Sequence, residues 1–242
     1  MPVDINCDMG ESFGLYKFGD DEKIMPFISQ ANVACGFHSS DPNHMRKTVD
    51  LATRYGVKIG AHFSLPDLPG FGRREMKIDR EEMASIIIYQ IGALKGFLDH
   101  AGASLSHLKP HGALYGMAAR MEHIAHAVAD AALVYNVPVL GLANTLHEEI
   151  YGQRGVDFQA EFFADLDYDD DGGLIITREH GAVDPLTAGR RAADAVRDGT
   201  SVSINGAPLQ VRAETICIHS DTPNAVDIVQ AVKQALSELE AA

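Results

Sequence analysis

The stretch Ala31-Asn32-Val33-Ala34-Cys35-Gly36-Phe37-His38-Ser39-Ser40-Asp41-Pro42, running on to Gly56-Val57-Lys58-Ile59-Gly60-Ala61-His62, holds one complete folding unit. Ala31–Gly36 is a short β-prone run. Asp41-Pro42 places an N-cap before a proline at the first helical position, where a missing N–H leaves no bond unmade. Met45, Val49 and Ala52 fall on one helical face, and Gly56 stops the helix. Val57–Ala61 is the next β-prone run. Strand, helix, strand predicts a parallel pair joined by a crossover helix.

The rhythm continues in both directions. Further β-prone runs lie at Val3–Cys7, Leu105–Lys109, Val137–Leu142, Val156–Gln159 and Thr215–His219, giving seven in all. Asp79 with Glu82 resembles a capping box, followed by Met83, Ile87, Leu94 and Leu98 and then Gly102. Asp184-Pro185 opens a helix that Gly199 closes. Thr222-Pro223 opens a last one, with Val226, Val229, Val232, Leu236 and Leu239 on its apolar side. Seven strand–helix units predict an α/β fold, a (β/α)7 TIM-like barrel rather than an open doubly wound sheet. No linker, repeat or low-complexity tract divides the 242 residues, so residues 1–242 are expected to form a single barrel domain.

Composition narrows the function. There are 20 basic and 34 acidic residues, a formal charge of −14, which argues against nucleic acid and anionic membranes as partners. No run approaches the roughly 18 apolar residues of a membrane span. Met1–Asn6 lacks a basic segment followed by an apolar run, so no signal peptide is expected. Cys7, Cys35 and Cys217 are widely spaced without a CxxC, which points to a reducing, cytoplasmic setting. The alternation places Cys7 and Cys35 between strands and helices, and gives Cys217 the parity of His219.

Polar residues gather where strands end, the face on which barrel active sites are built. The first strand gives Asn6, Asp8 and Glu11; the second gives Asn32 and His38; the third gives His62; the fourth gives Lys109 and His111. Glu161 and Asp165 follow a later strand, and His219 and Asp221 the last. Asn6 with Asp8, Lys109 with His111, and His219 with Asp221 share strand parity. An inward orientation gathers Asp8, His38, His62, Lys109, His111, His219 and Asp221 at the mouth. Two chemistries fit. Asp8, His38 and His62 suit a divalent metal. Alternatively, His and Asp act as general bases while Lys109 stabilises negative charge. The loop Phe63–Met76 adds Arg73 and Arg74, suited to gripping a carboxylate or phosphate, or to pairing with local acids. No P-loop motif is present. The acidic run Asp165–Asp171 reads as a solvated loop.

Taken together, Asp4–Glu11, Ala31–His38 with Asp41-Pro42, Gly60-Ala61-His62, Gly70-Phe71-Gly72-Arg73-Arg74, Tyr89–Leu94, Lys109-Pro110-His111-Gly112-Ala113-Leu114-Tyr115, Glu161 with Phe163-Ala164-Asp165, and His219 with Asp221-Thr222-Pro223 resemble the LamB/YcsF family, in order and over nearly the whole chain. The resemblance implies a barrel of the glycoside hydrolase/deacetylase type. It also implies one component of an ATP-dependent 5-oxoprolinase, working with two further subunits (B and C) to convert the lactam 5-oxoproline to glutamate, with ATP as co-substrate. The expected catalytic set is Asp8, His38, His62, Lys109, His111 and Asp221. The expected substrate contacts are Asn6, Glu11, Asn32, Arg73, Arg74, Tyr115, Glu161 and His219. The alternatives are a metal-dependent deacetylase or hydrolase acting alone, and a non-catalytic ligand-binding subunit. Four places depart from the family pattern: Ser39-Ser40 after His38, Phe63-Ser64-Leu65 after His62, Leu166 after Asp165 where the family has arginine, and Ser220 after His219.

Overall fold

A computed structural model describes residues 3–241 other than Arg178 and His180; the Met1-Pro2 start lies outside these. Seven parallel strands close a barrel: β1 (Asp4–Met9), β2 (Gln30–Ala34), β3 (Lys58–Phe63), β4 (Leu105–Pro110), β5 (Val139–Gly141), β6 (Phe158–Phe163) and β9 (Thr215–His219). Between β6 and β9, the strands β7 (Thr200–Val202) and β8 (Pro208–Gln210) form a separate antiparallel pair. Helices α1 (Asp21–Ile24), α2 (Pro42–Tyr55), α3 (Arg80–Ala101), α4 (Gly112–Arg120), α5 (Glu122–Tyr135), α6 (Leu146–Gln153), α7 (Pro185–Asp198) and α8 (Ala225–Ala241) surround it. Among the described residues, no helix is long and apolar enough to cross a membrane.

The expected caps form. Asp41 accepts from the Asn43 and His44 amides, and Gly56 ends α2 at φ +67°. Asp79 accepts from the Glu82 amide at 2.9 Å. Asp184 accepts from the Thr187 amide at 3.0 Å. Three helices, α4 to α6, carry no clear sequence signal. In α5 the buried set includes Ala125, Ala127, Ala129, Ala131 and Ala132, so the apolar stripe has little contrast. The last helix starts at Ala225, after a turn at Thr222.

Strand parity splits the chain into two interiors. Outward residues such as Ile5, Val33, Ile59, Leu108, Phe162 and Ile218 form the apolar core against the helices. The inward residues are polar, unlike the branched aliphatic layers that usually fill such a barrel. Thr215 donates to Gln30, and Gln30 donates to Gln159. Above them Asn6 donates to Thr215 at 2.9 Å, and Asn32 donates to Asn6 at 2.8 Å. His107 Nε2 contacts Asn32 Oδ1 at 2.7 Å. A side chain at Gly60 would strike the His107 ring, so glycine there opens the space this network fills. Every side chain in this network has a partner, and the network sets the height and rotation of the layer above.

Candidate functional site

Parallel register brings the chemistry to one level. Asp8 pairs with Asn32 on one side and with His219 on the other, and His62 pairs with Lys109. Lys109 Nζ lies 2.9 Å from Asp8 Oδ1, 3.0 Å from Glu161 Oε1 and 2.9 Å from Cys217 Sγ. Burial disfavours the ammonium, but the charges of Asp8 and Glu161 outweigh it and hold Lys109 charged. Burial likewise pushes Asp8 upward, yet His62 and Lys109 keep its carboxyl well below the usual range. Burial pushes the Cys217 thiol well up, so its sulfur sits protonated beside Lys109.

A second layer of histidines lies above. His62 Nε2 is 3.2 Å from Asp8 Oδ2 and 2.9 Å from His111 Nδ1. His38 Nε2 lies 3.1 Å from Glu11 Oε1, and its ring stacks on His111 with centroids 3.8 Å apart. On the other side, Asp165 accepts from the His219 amide at 2.8 Å and lies 3.1 Å from its Nδ1, which turns Nε2 toward Asp8 at 3.7 Å. Burial lowers the His219 pKa, but Asp165 and then Asp8 outweigh it and raise it. Asp165 is therefore not part of a solvated loop. It is 3% exposed, while Asp169 to Asp171 further along the run are exposed.

Two loops complete the mouth. In the first, one side chain holds the backbone: Gln90 of α3 accepts from the Ser64 amide at 3.0 Å and donates to its carbonyl at 2.8 Å. The loop then turns at Gly72, whose φ is +66°. A Cβ there would come within 2.8 Å of His38 and 2.9 Å of His111, so only glycine lets the backbone lie against both rings. Arg73 extends inward, donates to Asp221 at 2.8 Å and lies over Phe71. Arg74 does not join the site. It points outward, 58% exposed, and pairs with Asp67. This corrects the expectation that it contacts substrate: the chain bends at Arg74, and Asp67, held by the Gly70 amide, draws its guanidinium away from the mouth.

A pocket of about 340 Å³ opens between these groups. Its lining combines polar Asp8, His62, Lys109, His111 and His219 with Tyr115, Phe163, Leu166, Leu174 and Ile176. Asn6 and Asn32 lie beneath, and Glu161 meets Lys109 from β6. His107 and the apolar wall were not expected, and Asp165, noted at a strand end, was given no role in the site. His107 shares parity with Lys109 and His111, which is the signal that reveals it. The wall has no such signal, because Leu174 and Ile176 come from an irregular segment.

The metal-ligating residue types group differently from the expected Asp8, His38 and His62. Glu11, His38, His62 and His111 form one group, and Asp8, Cys217 and His219 another, each with ligand atoms within 4.8 Å of one another.

Fold and site define a (β/α)7 barrel protein with a buried carboxylate, imidazole and ammonium cluster at the C-terminal ends of its strands. The chain belongs to the LamB/YcsF family, whose model matches residues 3–242. It is 42% identical over 238 residues to the lactam utilization protein lamB of Emericella nidulans, covering 97% of this chain and 94% of that one. It is 45% identical over 240 residues to the A subunit of 5-oxoprolinase from Syntrophobacter fumaroxidans, covering 98% and 95%. Among solved structures, the lactam utilization protein from Thermus thermophilus superposes with a TM-score of 0.92 at 41% identity, covering 99% of this chain and 98% of the other.

Proposed function

We propose that this chain, residues 1–242 acting as one barrel domain, is the lactam-opening subunit of an ATP-dependent 5-oxoprolinase-type hydrolase. It works in the cytoplasm with two further subunits, B and C. The observation that carries this reading is the Asp8–Lys109–Glu161 cluster facing a small pocket with His62 and His219. Relatives 42–45% identical over nearly the whole chain, named for lactam utilization and 5-oxoprolinase, support it.

A lactam is a stable amide, and transfer of the ATP γ-phosphoryl to its oxygen makes the ring carbon electrophilic. One water then adds to that carbon as the Asp8 carboxylate takes its proton. Lys109 stabilises the negative charge that develops. The ring C–N bond breaks with its electron pair going to nitrogen, which receives a proton from His219, oriented by Asp165. A second water hydrolyses the resulting acyl phosphate, giving carboxylate and phosphate. The overall change consumes lactam, ATP and two waters. Asn6, Asn32 and Glu161 hold Asp8 and Lys109 in place, while Arg73, Tyr115 and the apolar wall border the substrate.

The test is glutamate release from 5-oxoproline by the purified chain, alone and with subunits B and C. ATP-dependent release only in the complex supports the reading. Turnover of an amide by the chain alone, without ATP, overturns it in favour of a solitary hydrolase. Unchanged turnover by an Asp8→Asn complex overturns it in favour of a ligand-holding role.

A further inference from the structure

In the second histidine layer a shared proton or a bound metal ion must lie between two facing ring nitrogens. His62 Nδ1 lies 3.0 Å from the Lys109 carbonyl, and His111 Nε2 lies 2.8 Å from the Phe71 carbonyl. A carbonyl only accepts, so both of these nitrogens carry the proton. In neutral rings the remaining nitrogens, His62 Nε2 and His111 Nδ1, face each other at 2.9 Å with lone pairs converging, and Asp8 Oδ2 lies 3.2 Å from the first. Glu11 Oε1 adds a third electron-rich atom 3.4 Å from His111 Nδ1, and His38 Nε2 lies 3.1 Å from that oxygen.

We propose that Glu11, His62 and His111, with His38 beside them, form a binding site for one divalent transition-metal ion. Ligands about 2.1 Å from a tetrahedral ion stand roughly 3.4 Å apart, and these separations are close to that. Neutral imidazoles with one carboxylate suit zinc, iron(II) or manganese(II). The neighbouring group of Asp8, Cys217 and His219 makes the contrast. There the Lys109 ammonium sits 2.9 Å from both Asp8 Oδ1 and Cys217 Sγ, so that group already holds its cation.

His62 and His111 line the pocket, so a bound ion would offer Lewis acidity at its edge.

The site is independent of which lactam is opened, and its test reads metal rather than turnover. Full-length protein is stripped with chelator and dialysed against zinc, manganese(II) or cobalt(II), and bound metal is counted by mass spectrometry. One ion per chain is expected, with a cobalt absorption spectrum of nitrogen and oxygen ligation. His111→Ala and His62→Ala should weaken binding about a hundredfold or more, and Cys217→Ser should leave it unchanged, with circular dichroism confirming the fold of each. Failure of all three metals to bind at micromolar concentration overturns the proposal. So does a nitrogen NMR signature of imidazolium at His62 that added metal leaves unaltered, since a proton would then be the bridging cation. Equal loss of binding in Cys217→Ser would place any bound ion in the other group and overturn it too.

Discussion

Arg73 Nη2 donates to Asp221 Oδ2 at 2.8 Å across the barrel mouth, with the two side chains only 4% and 3% exposed. The pair fastens the glycine-rich loop after β3 to the segment after β9, so two loops distant in sequence close one site. Arg74, the next residue, is exposed and pairs with the buried Asp67.

Removing one partner of the buried pair leaves a charge stranded. Asp221→Ala should cost on the order of 3–5 kcal/mol and lower the melting temperature by several degrees. Arg74→Ala should lower it less, because Asp67 keeps its bond from the Gly70 amide. Thermal unfolding of the two variants side by side checks the contrast, and equal effects would refute it.

Lys109 is held by two carboxylates at 2.9 and 3.0 Å. Lys109→Met keeps much of the volume but strands Asp8 and Glu161. Turnover of the assembled enzyme should fall by at least about a hundredfold. A double change, Lys109→Met with Glu161→Gln, should recover stability without recovering turnover.

Asp165 orients His219 through two contacts. Asp165→Asn keeps an acceptor for the amide but removes the charge that supports a protonated ring. The expected loss in kcat is about 10²- to 10⁴-fold with little change in KM. Steady-state kinetics with the partner subunits separates this from a substrate-binding defect, which would raise KM.

Asp21 carries a pH signature away from the reacting groups. Burial raises its pKa to about 6, although it accepts from the Gly10 amide at 2.9 Å. The folded state thus binds this proton more tightly than the unfolded chain. Its cost to stability is absent below about pH 4, grows as pH rises toward 6, and is on the order of 3 kcal/mol above that. Asp21→Asn should therefore raise the melting temperature more at pH 7.5 than at pH 4.5. A pH-independent difference would count against the assignment.

The apolar wall should set affinity rather than rate. Leu174→Ala and Ile176→Ala each remove apolar area against the substrate ring and should raise KM several-fold with kcat largely kept. A fall in kcat with unchanged KM would contradict this role.

The barrel was legible in the sequence because its signals are local. Asp41-Pro42 and Gly56 mark a helix by the chemistry of its ends, and the β-prone runs on either side mark two strands. Strand parity also marks Asp8, Lys109 and His219, because alternation is a property of extended backbone itself. Helix α5 escaped because alanines give no amphipathic contrast, whatever they pack against. What only the tertiary structure decided is partnership. Asp8 meets Lys109, Arg73 meets Asp221 and His219 meets Asp165 over separations of 101, 148 and 54 residues. The fates of Arg73 and Arg74 diverged because Asp221 captures one and Asp67 the other, and loop conformation depends on Gly72 lying against His38 and His111. The position of each imidazole's proton is likewise fixed by carbonyls, those of Lys109 and Phe71, that come near only once the barrel closes.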